Sequence, residues 1–166
     1  MKQIFAPWRM TYISQEDGAR PGCPFCDLPA QGACEDTLIL WKGPAAFVIL
    51  NRYPYVSGHL LIVPNRHVDD PVALPPDEWA AALAVVPHAV AALREVYRPH
   101  GFNIGMNVGR AAGAGIDGHI HVHVVPRWGG DTNFVPVLSD TRVIPEALEV
   151  TYRRLLPSFE RLDQER

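Results

Sequence analysis

Three histidines at alternate positions offer the clearest chemistry in this chain: His119, His121 and His123, within Gly118-His-Ile-His-Val-His-Val-Val-Pro126. Successive side chains of an extended strand point to opposite faces. The three imidazoles therefore share one face, and Ile120, Val122 and Val124 point into the core from the other. Histidine ionises near pH 6.5, so its neutral form is available as a nucleophile at pH 7. Attack of a ring nitrogen on phosphorus would give a reactive phosphoramidate-type intermediate. The attacking nitrogen must be unprotonated, and its partner nitrogen must donate to a fixed acceptor that sets the tautomer. Flanking imidazoles can supply protons or hydrogen bonds to phosphate oxygens and the leaving group. The same spacing suits a metal-binding strand or a solvated polar face. The preceding loop, 109–118, tips the weight towards a phosphate site, because its four glycines offer backbone N–H groups to an anion.

A second motif is Cys23-Pro-Phe-Cys26. In a reducing compartment this spacing points to metal binding or redox work before a structural disulfide. A pair of inert thiols is the remaining reading. Cys34 lies outside the spacing. His88 and His100 have no partners by spacing and read as structural or surface residues.

The elements that must position these residues follow from periodicity and turn signals. Residues 38–41 and 46–50 read as short strands around the turn Lys42-Gly43-Pro44. Residues 59–63 form an apolar strand stopped by Pro64. Leu83, Val86, Val90, Leu93 and Tyr97 recur at helical steps, so 77–97 is the best helix. Pro75-Pro76 suits its start, and Pro87 should kink it or split it in two. Residues 102–108 and 120–125 read as strands, 109–118 as a flexible loop, and 145–156 as a final helix. Residues 1–36 look irregular. This order predicts an α+β fold with a mainly antiparallel sheet, not a doubly wound parallel one.

The 166 residues fit one compact domain, 1–166. Hydrophobic residues make up 48%, enough for one real core. No unbroken apolar run reaches the roughly 18 residues that span a bilayer. The start of the chain does not read as a signal peptide, so a cytoplasmic location is expected. A net charge of −3 gives no global pull towards nucleic acid or anionic membranes. An anionic substrate would have to be met by local groups.

The sequence resembles the histidine-triad (HIT) family, whose mark is His-x-His-x-His followed by two apolar residues, here 119–125. The resemblance extends over 47–54, Gly58-His59 through Pro64, Arg66-His67, Asn107-x-Gly109 and Ala112-Gly113, covering about 23–127. The extensions Ala6-Pro7-Trp8-Arg9-Met10 and 128–134 resemble a bacterial subgroup linked to diadenosine polyphosphate phosphorylase or hydrolase activity. The family implies a five-stranded antiparallel sheet with helices, and a homodimer whose sheets join into one.

The resemblance also implies roles. His121 matches the nucleophile that becomes nucleotidylated, and His123 would hold phosphate oxygens. His59 would support the nucleophile. Asn51 matches a residue at the ribose, and Asn107 one at the phosphate or leaving group. Zinc-bearing triad proteins and the related galactose-1-phosphate uridylyltransferases imply a structural zinc held by Cys23, Cys26, His67 and His119. Many members carry Gln then Ser or Thr before the triad; here Gly115 and Ile116 stand there. Asp117 or the loop backbone, with Gly113 and Gly115, would have to substitute. Arg110 is a candidate contact to a distal phosphate, or a solvated loop charge.

The expected function is cleavage of a dinucleoside polyphosphate at an α-phosphate through a nucleotidyl-histidine, with water or phosphate as acceptor. The alternatives are a nucleoside phosphoramidate hydrolase, a nucleotide-binding sensor with little turnover, and a zinc-binding interaction module. Phe25, Leu40 and Ile49 are candidate apolar walls for a base.

Overall fold

The computed structural model describes residues 22–131 and 146–164. Short apolar runs form a five-stranded antiparallel sheet: β1 (Ile39–Lys42), β2 (Ala46–Leu50), β3 (Leu60–Pro64), β4 (Gly101–Gly105) and β5 (Val122–Arg127). The strand order is β1-β2-β3-β5-β4. The expected α+β architecture is therefore the one observed. The last strand inserts between β3 and β4, with Leu61 and Gly105 both opposite His123. The histidine strand is thus held on both edges.

The turn between β1 and β2 depends on a missing side chain. A Cβ on Gly43 would fall inside the Trp41 indole. Strands β2 and β3 are buried along their whole length. They read as continuous apolar runs because both faces of the sheet are covered there. Pro126 is tolerated inside β5 because pairing with β3 ends at Val124.

Pro87 splits the long helical segment into α2 (Pro76–Leu83) and α3 (Val86–Tyr97). It occupies the first turn of α3, where a missing N–H breaks no bond. An 18-residue window within Pro76–Tyr97 reaches a mean hydropathy of 1.3, long and apolar enough by composition to cross a membrane. Counting unbroken runs overlooks this. In the fold the segment is broken, and Ala82, Val85, Ala89 and Leu93 lie in the core.

Three boundaries differ from expectation. Strand β4 ends at Gly105, three residues earlier than read from sequence. Ladder pairing of the triad strand begins at Val122, two residues later. The last helix, α4 (Leu148–Gln164), runs past Pro157. An internal proline costs about 3 kcal/mol. Burial of Phe159 and Leu162, 1% and 7% exposed, contributes about 1.5–3 kcal/mol each, so the helix continues. The extensions at 6–10 and 132–134, and the expected start of this helix at 145, lie outside the described residues.

A short helix, α1 (Pro24–Asp27), organises the otherwise irregular start. Its first turn carries Phe25 and Cys26, and Cys23 sits at its N-cap. Asp27 N–H donates to the Cys23 carbonyl at 3.0 Å, folding the two thiols towards each other.

Candidate functional site

The three triad histidines serve two neighbouring clusters. The Ile120 N–H donates to the Val68 carbonyl at 2.8 Å, which fixes the approach to β5. His119 is fully buried and turns towards the cysteines. His121, 5% exposed, turns towards His123 and has its ring centroid 4.9 Å away. His119 and His121 are therefore as buried as Ile120, Val122 and Val124, and His123 is half-buried, which removes the solvated-strand reading.

Backbone groups dictate the tautomers. A carbonyl can only accept, and a backbone N–H can only donate. His121 Nδ1 lies 2.9 Å from the His119 carbonyl, so Nδ1 carries the proton and Nε2 keeps its lone pair. His119 Nε2 lies 2.8 Å from the Pro64 carbonyl, so its Nδ1 keeps the lone pair. The Tyr55 N–H donates to His59 Nδ1 at 3.2 Å. The Asn51 amide Nδ2 also faces that nitrogen, at 3.3 Å. Its Oδ1 is fixed by the Tyr53 N–H, which assigns the amide orientation. His59 must then carry its proton on Nε2 and donate it to His123 Nδ1 at 2.9 Å. His123 is left with its proton on Nε2.

That last N–H has no protein partner among the described residues, although the nitrogen is buried. A buried donor without an acceptor costs about 1–3 kcal/mol. An oxygen of a bound anion would relieve that cost. Burial keeps the array neutral. It lowers the His59 pKa to about 3, helped by His123 and His121, and that of His123 to about 4, helped by His121. Burial lowers His121 as well, against the opposing hydrogen bond to the His119 carbonyl. At pH 7 the site therefore presents a lone pair on His121 Nε2 and an N–H on His123 Nε2, on adjacent rings.

The second cluster joins Cys23, Cys26, His67 and His119, whose ligand atoms all lie within 4.8 Å of one another. His119 Nδ1 is 3.4 Å from Cys23 Sγ, 3.7 Å from Cys26 Sγ and 3.3 Å from His67 Nδ1. Cys26 Sγ is 3.3 Å from His67 Nδ1. The edges of a tetrahedral zinc site with sulfur and nitrogen ligands are about 3.3–3.8 Å. The lone pair of His119 Nδ1, fixed by Pro64, faces the other three groups. The set fits a zinc ion.

The remaining candidates lie on the loop between β4 and β5. Asn107 Nδ2 donates to the Gly113 carbonyl at 3.5 Å, and Gly113 has φ of +88°, a left-handed conformation suited to glycine. Arg110 Nε pairs with Asp117 at 2.5 Å, and this guanidinium lowers the Asp117 pKa. Arg110 is therefore engaged across the loop that also carries Gly115 and Ile116. The structure brings His59, His121, His123 and Asn51 together, and separately the four zinc-type ligands. Asn51 is placed behind His59.

Two aromatic residues pack against the site histidines: Phe25, a candidate apolar wall from the sequence, and Tyr55, which carries no sequence signal of its role. The Phe25 ring meets His121 edge-on at 5.1 Å and His119 at 5.6 Å. Its position between two cysteines aimed at the same place was the available clue. The Tyr55 ring stacks beside His59 and His123. Leu40 and Ile49 belong to the buried core.

Known proteins are similar to this chain in sequence and fold. Residues 34–130 match the family model of the HIT domain. The AP-4-A phosphorylase of Mycobacterium tuberculosis is 38% identical over 168 residues, 97% of this chain and 86% of that protein. A Zn-bound histidine triad family protein from Mycobacterium smegmatis superposes with a TM-score of 0.69 at 31% identity, covering 87% of this chain and 98% of that one. A histidine triad nucleotide-binding protein from Sulfolobus tokodaii gives a TM-score of 0.68 at 25% identity, covering 86% and 95%. The chain belongs to the histidine-triad (HIT) family.

Proposed function

We propose that this HIT-family enzyme cleaves a dinucleoside polyphosphate at an α-phosphate through a nucleotidyl-His121 intermediate. The observation that carries the reading is the pairing of a lone pair on His121 Nε2 with an unpartnered, buried N–H on His123 Nε2. The similarity to an AP-4-A phosphorylase supports the substrate class.

In the first step Nε2 of His121 forms a bond to the α-phosphorus, and the bond from phosphorus to the bridging oxygen breaks. The leaving nucleotide departs with that electron pair. His123 Nε2–H donates to a phosphate oxygen and offsets charge there as it develops. The His121 ring becomes cationic, and the His119 carbonyl on Nδ1 stabilises it. In the second step water or phosphate attacks the same phosphorus. The phosphorus–nitrogen bond breaks, Nε2 recovers its lone pair, and where water is the acceptor its proton passes to solvent.

The cluster Cys23, Cys26, His67 and His119 would hold a structural zinc, tying α1 to the start of β5. A four-protein-ligand shell is closed, so the ion would contribute stability and no open coordination position. Among the described residues strand β4 is a sheet edge, and its Ile104 is 49% exposed. An unpaired apolar edge favours pairing with another strand, and supports a homodimer through β4.

Incubation with diadenosine tetraphosphate, with and without inorganic phosphate, tests this reading. ADP plus ATP formed only with phosphate identifies a phosphorylase. AMP plus ATP without phosphate identifies a hydrolase. No cleavage under either condition contradicts the substrate assignment.

A further inference from the structure

The mechanism above leaves the Tyr55 side chain of the site unused. Tyr55 lies in the connection between β2 and β3, four residues before His59. This connection is held at several points. The Asn51 N–H donates to the His59 carbonyl at 2.9 Å, and the His59 N–H to the Val56 carbonyl at 3.3 Å. Gly58, at φ +78°, packs so close to α3 that a Cβ there would come within 2.9 Å of Leu93. Tyr55 is therefore presented from a braced segment.

Its two halves meet the same pair of histidines. The backbone N–H holds His59 Nδ1 as an acceptor. The ring lies 4.7 Å from the His59 ring at 36°, and 6.2 Å from the His123 ring at 18°, nearly parallel to it. The residue is 36% exposed, whereas His59 is fully buried. The Tyr55 ring thus packs against both imidazoles from the more exposed side of the pair.

We propose that Tyr55 is a positioning residue for the His59–His123 pair: its ring holds the His59 imidazole in place against the backbone N–H that sets its tautomer, and keeps His123 in register with it. The His59 Nε2–H then has one acceptor, His123 Nδ1, and the His123 Nε2–H is aimed into the site. If water reached either ring, it could accept or donate at the shared nitrogens, and the single tautomer would give way to a mixture. The kinetic part of this inference rests on the proposed function; the tautomer part does not.

The experiment compares wild type with Tyr55→Phe, Tyr55→Leu and Tyr55→Ala. One measurement is the ¹⁵N spectrum of the histidine rings in nucleotide-free protein, which distinguishes the two neutral tautomers. The other is kcat and KM with diadenosine tetraphosphate. Wild type should show His59 and His123 each as the single Nε2–H tautomer. Tyr55→Phe should keep this pattern and keep kcat within about twofold, since the ring face is retained. Tyr55→Ala should give mixed tautomers and lose about tenfold or more in kcat, with KM changed far less. Tyr55→Leu keeps bulk without an aromatic face and should behave like Tyr55→Ala, which covers the case in which alanine prevents folding. Unchanged tautomers in a folded Leu or Ala variant would overturn the proposal. So would a rise in KM alone, which would make Tyr55 a wall of the substrate pocket. If wild type cleaves no dinucleotide, the functional reading fails and the spectra alone decide the role of Tyr55.

Discussion

His59 donates from Nε2 to Nδ1 of His123 across 2.9 Å, so a residue just before β3 sets the protonation pattern of a residue on β5. Replacing His59 by Ala leaves His123 Nδ1 buried without its donor. The freed histidine can then hold its proton on Nδ1 and lose the N–H that faces the substrate. The expected result is a fall in kcat of about 10²-fold, the scale for losing one preorganised donor, with a smaller change in KM. Steady-state kinetics on a variant checked for folding by circular dichroism test this. An unchanged kcat would separate His59 from the chemistry.

The same burial makes the fold sensitive to acid. His59 and His123 titrate near 3 and 4 in the folded protein, against about 6.5 in an unfolded chain. Between those values the unfolded chain binds more protons than the folded one, so lowering the pH favours unfolding. Their contribution to stability is fully present above pH 6.5 and is lost progressively from there down to about pH 3–4. Thermal melting across this range should show Tm falling with pH. The slope should be smaller in His59→Gln, which removes one of the two groups.

The metal cluster predicts an effect on stability first. Cys23→Ser should lower both zinc content and Tm, because α1 loses its tie to His119. A chelator should lower the Tm of wild type and leave that of Cys23→Ser unchanged. Cys34→Ser should retain the metal, since Cys34 instead bonds Thr37. Equal Tm and equal zinc content in wild type and Cys23→Ser would remove the structural zinc.

Homodimer formation through β4 predicts that a charge at an exposed edge position opposes association. Ile104→Lys should shift the protein towards monomer in analytical ultracentrifugation, with wild type running as a dimer. A monomeric wild type would end that assignment.

How much of this was legible in the sequence depends on where the determining groups lie. Alternation along 119–125 was enough to place the imidazoles on one face, because side-chain direction in a strand is fixed by parity. The Pro87 break was legible for a similar reason: proline constrains the backbone wherever it occurs. The tautomers were not legible, because they are set by the carbonyls of Pro64 and His119 and the N–H of Tyr55. Every residue type carries such a carbonyl, and only tertiary placement aims it. The Tyr55 ring and the edge of Phe25 reach the site for the same reason. The run of α4 beyond Pro157 was hidden because burial of Phe159 and Leu162 outweighs a local penalty.

The central claim is that His121 carries the nucleotide. Rapid mixing of the protein with diadenosine tetraphosphate labelled in the α-phosphate, quenched in alkali, tests it directly. A phosphorus–nitrogen bond to histidine survives alkali and is lost in acid. The account predicts an alkali-stable, acid-labile label that maps to the peptide containing His121, forms as fast as turnover, and is absent in His121→Ala. Cleavage of the substrate with no label on the protein at any time, or an equal label in His121→Ala, would contradict it.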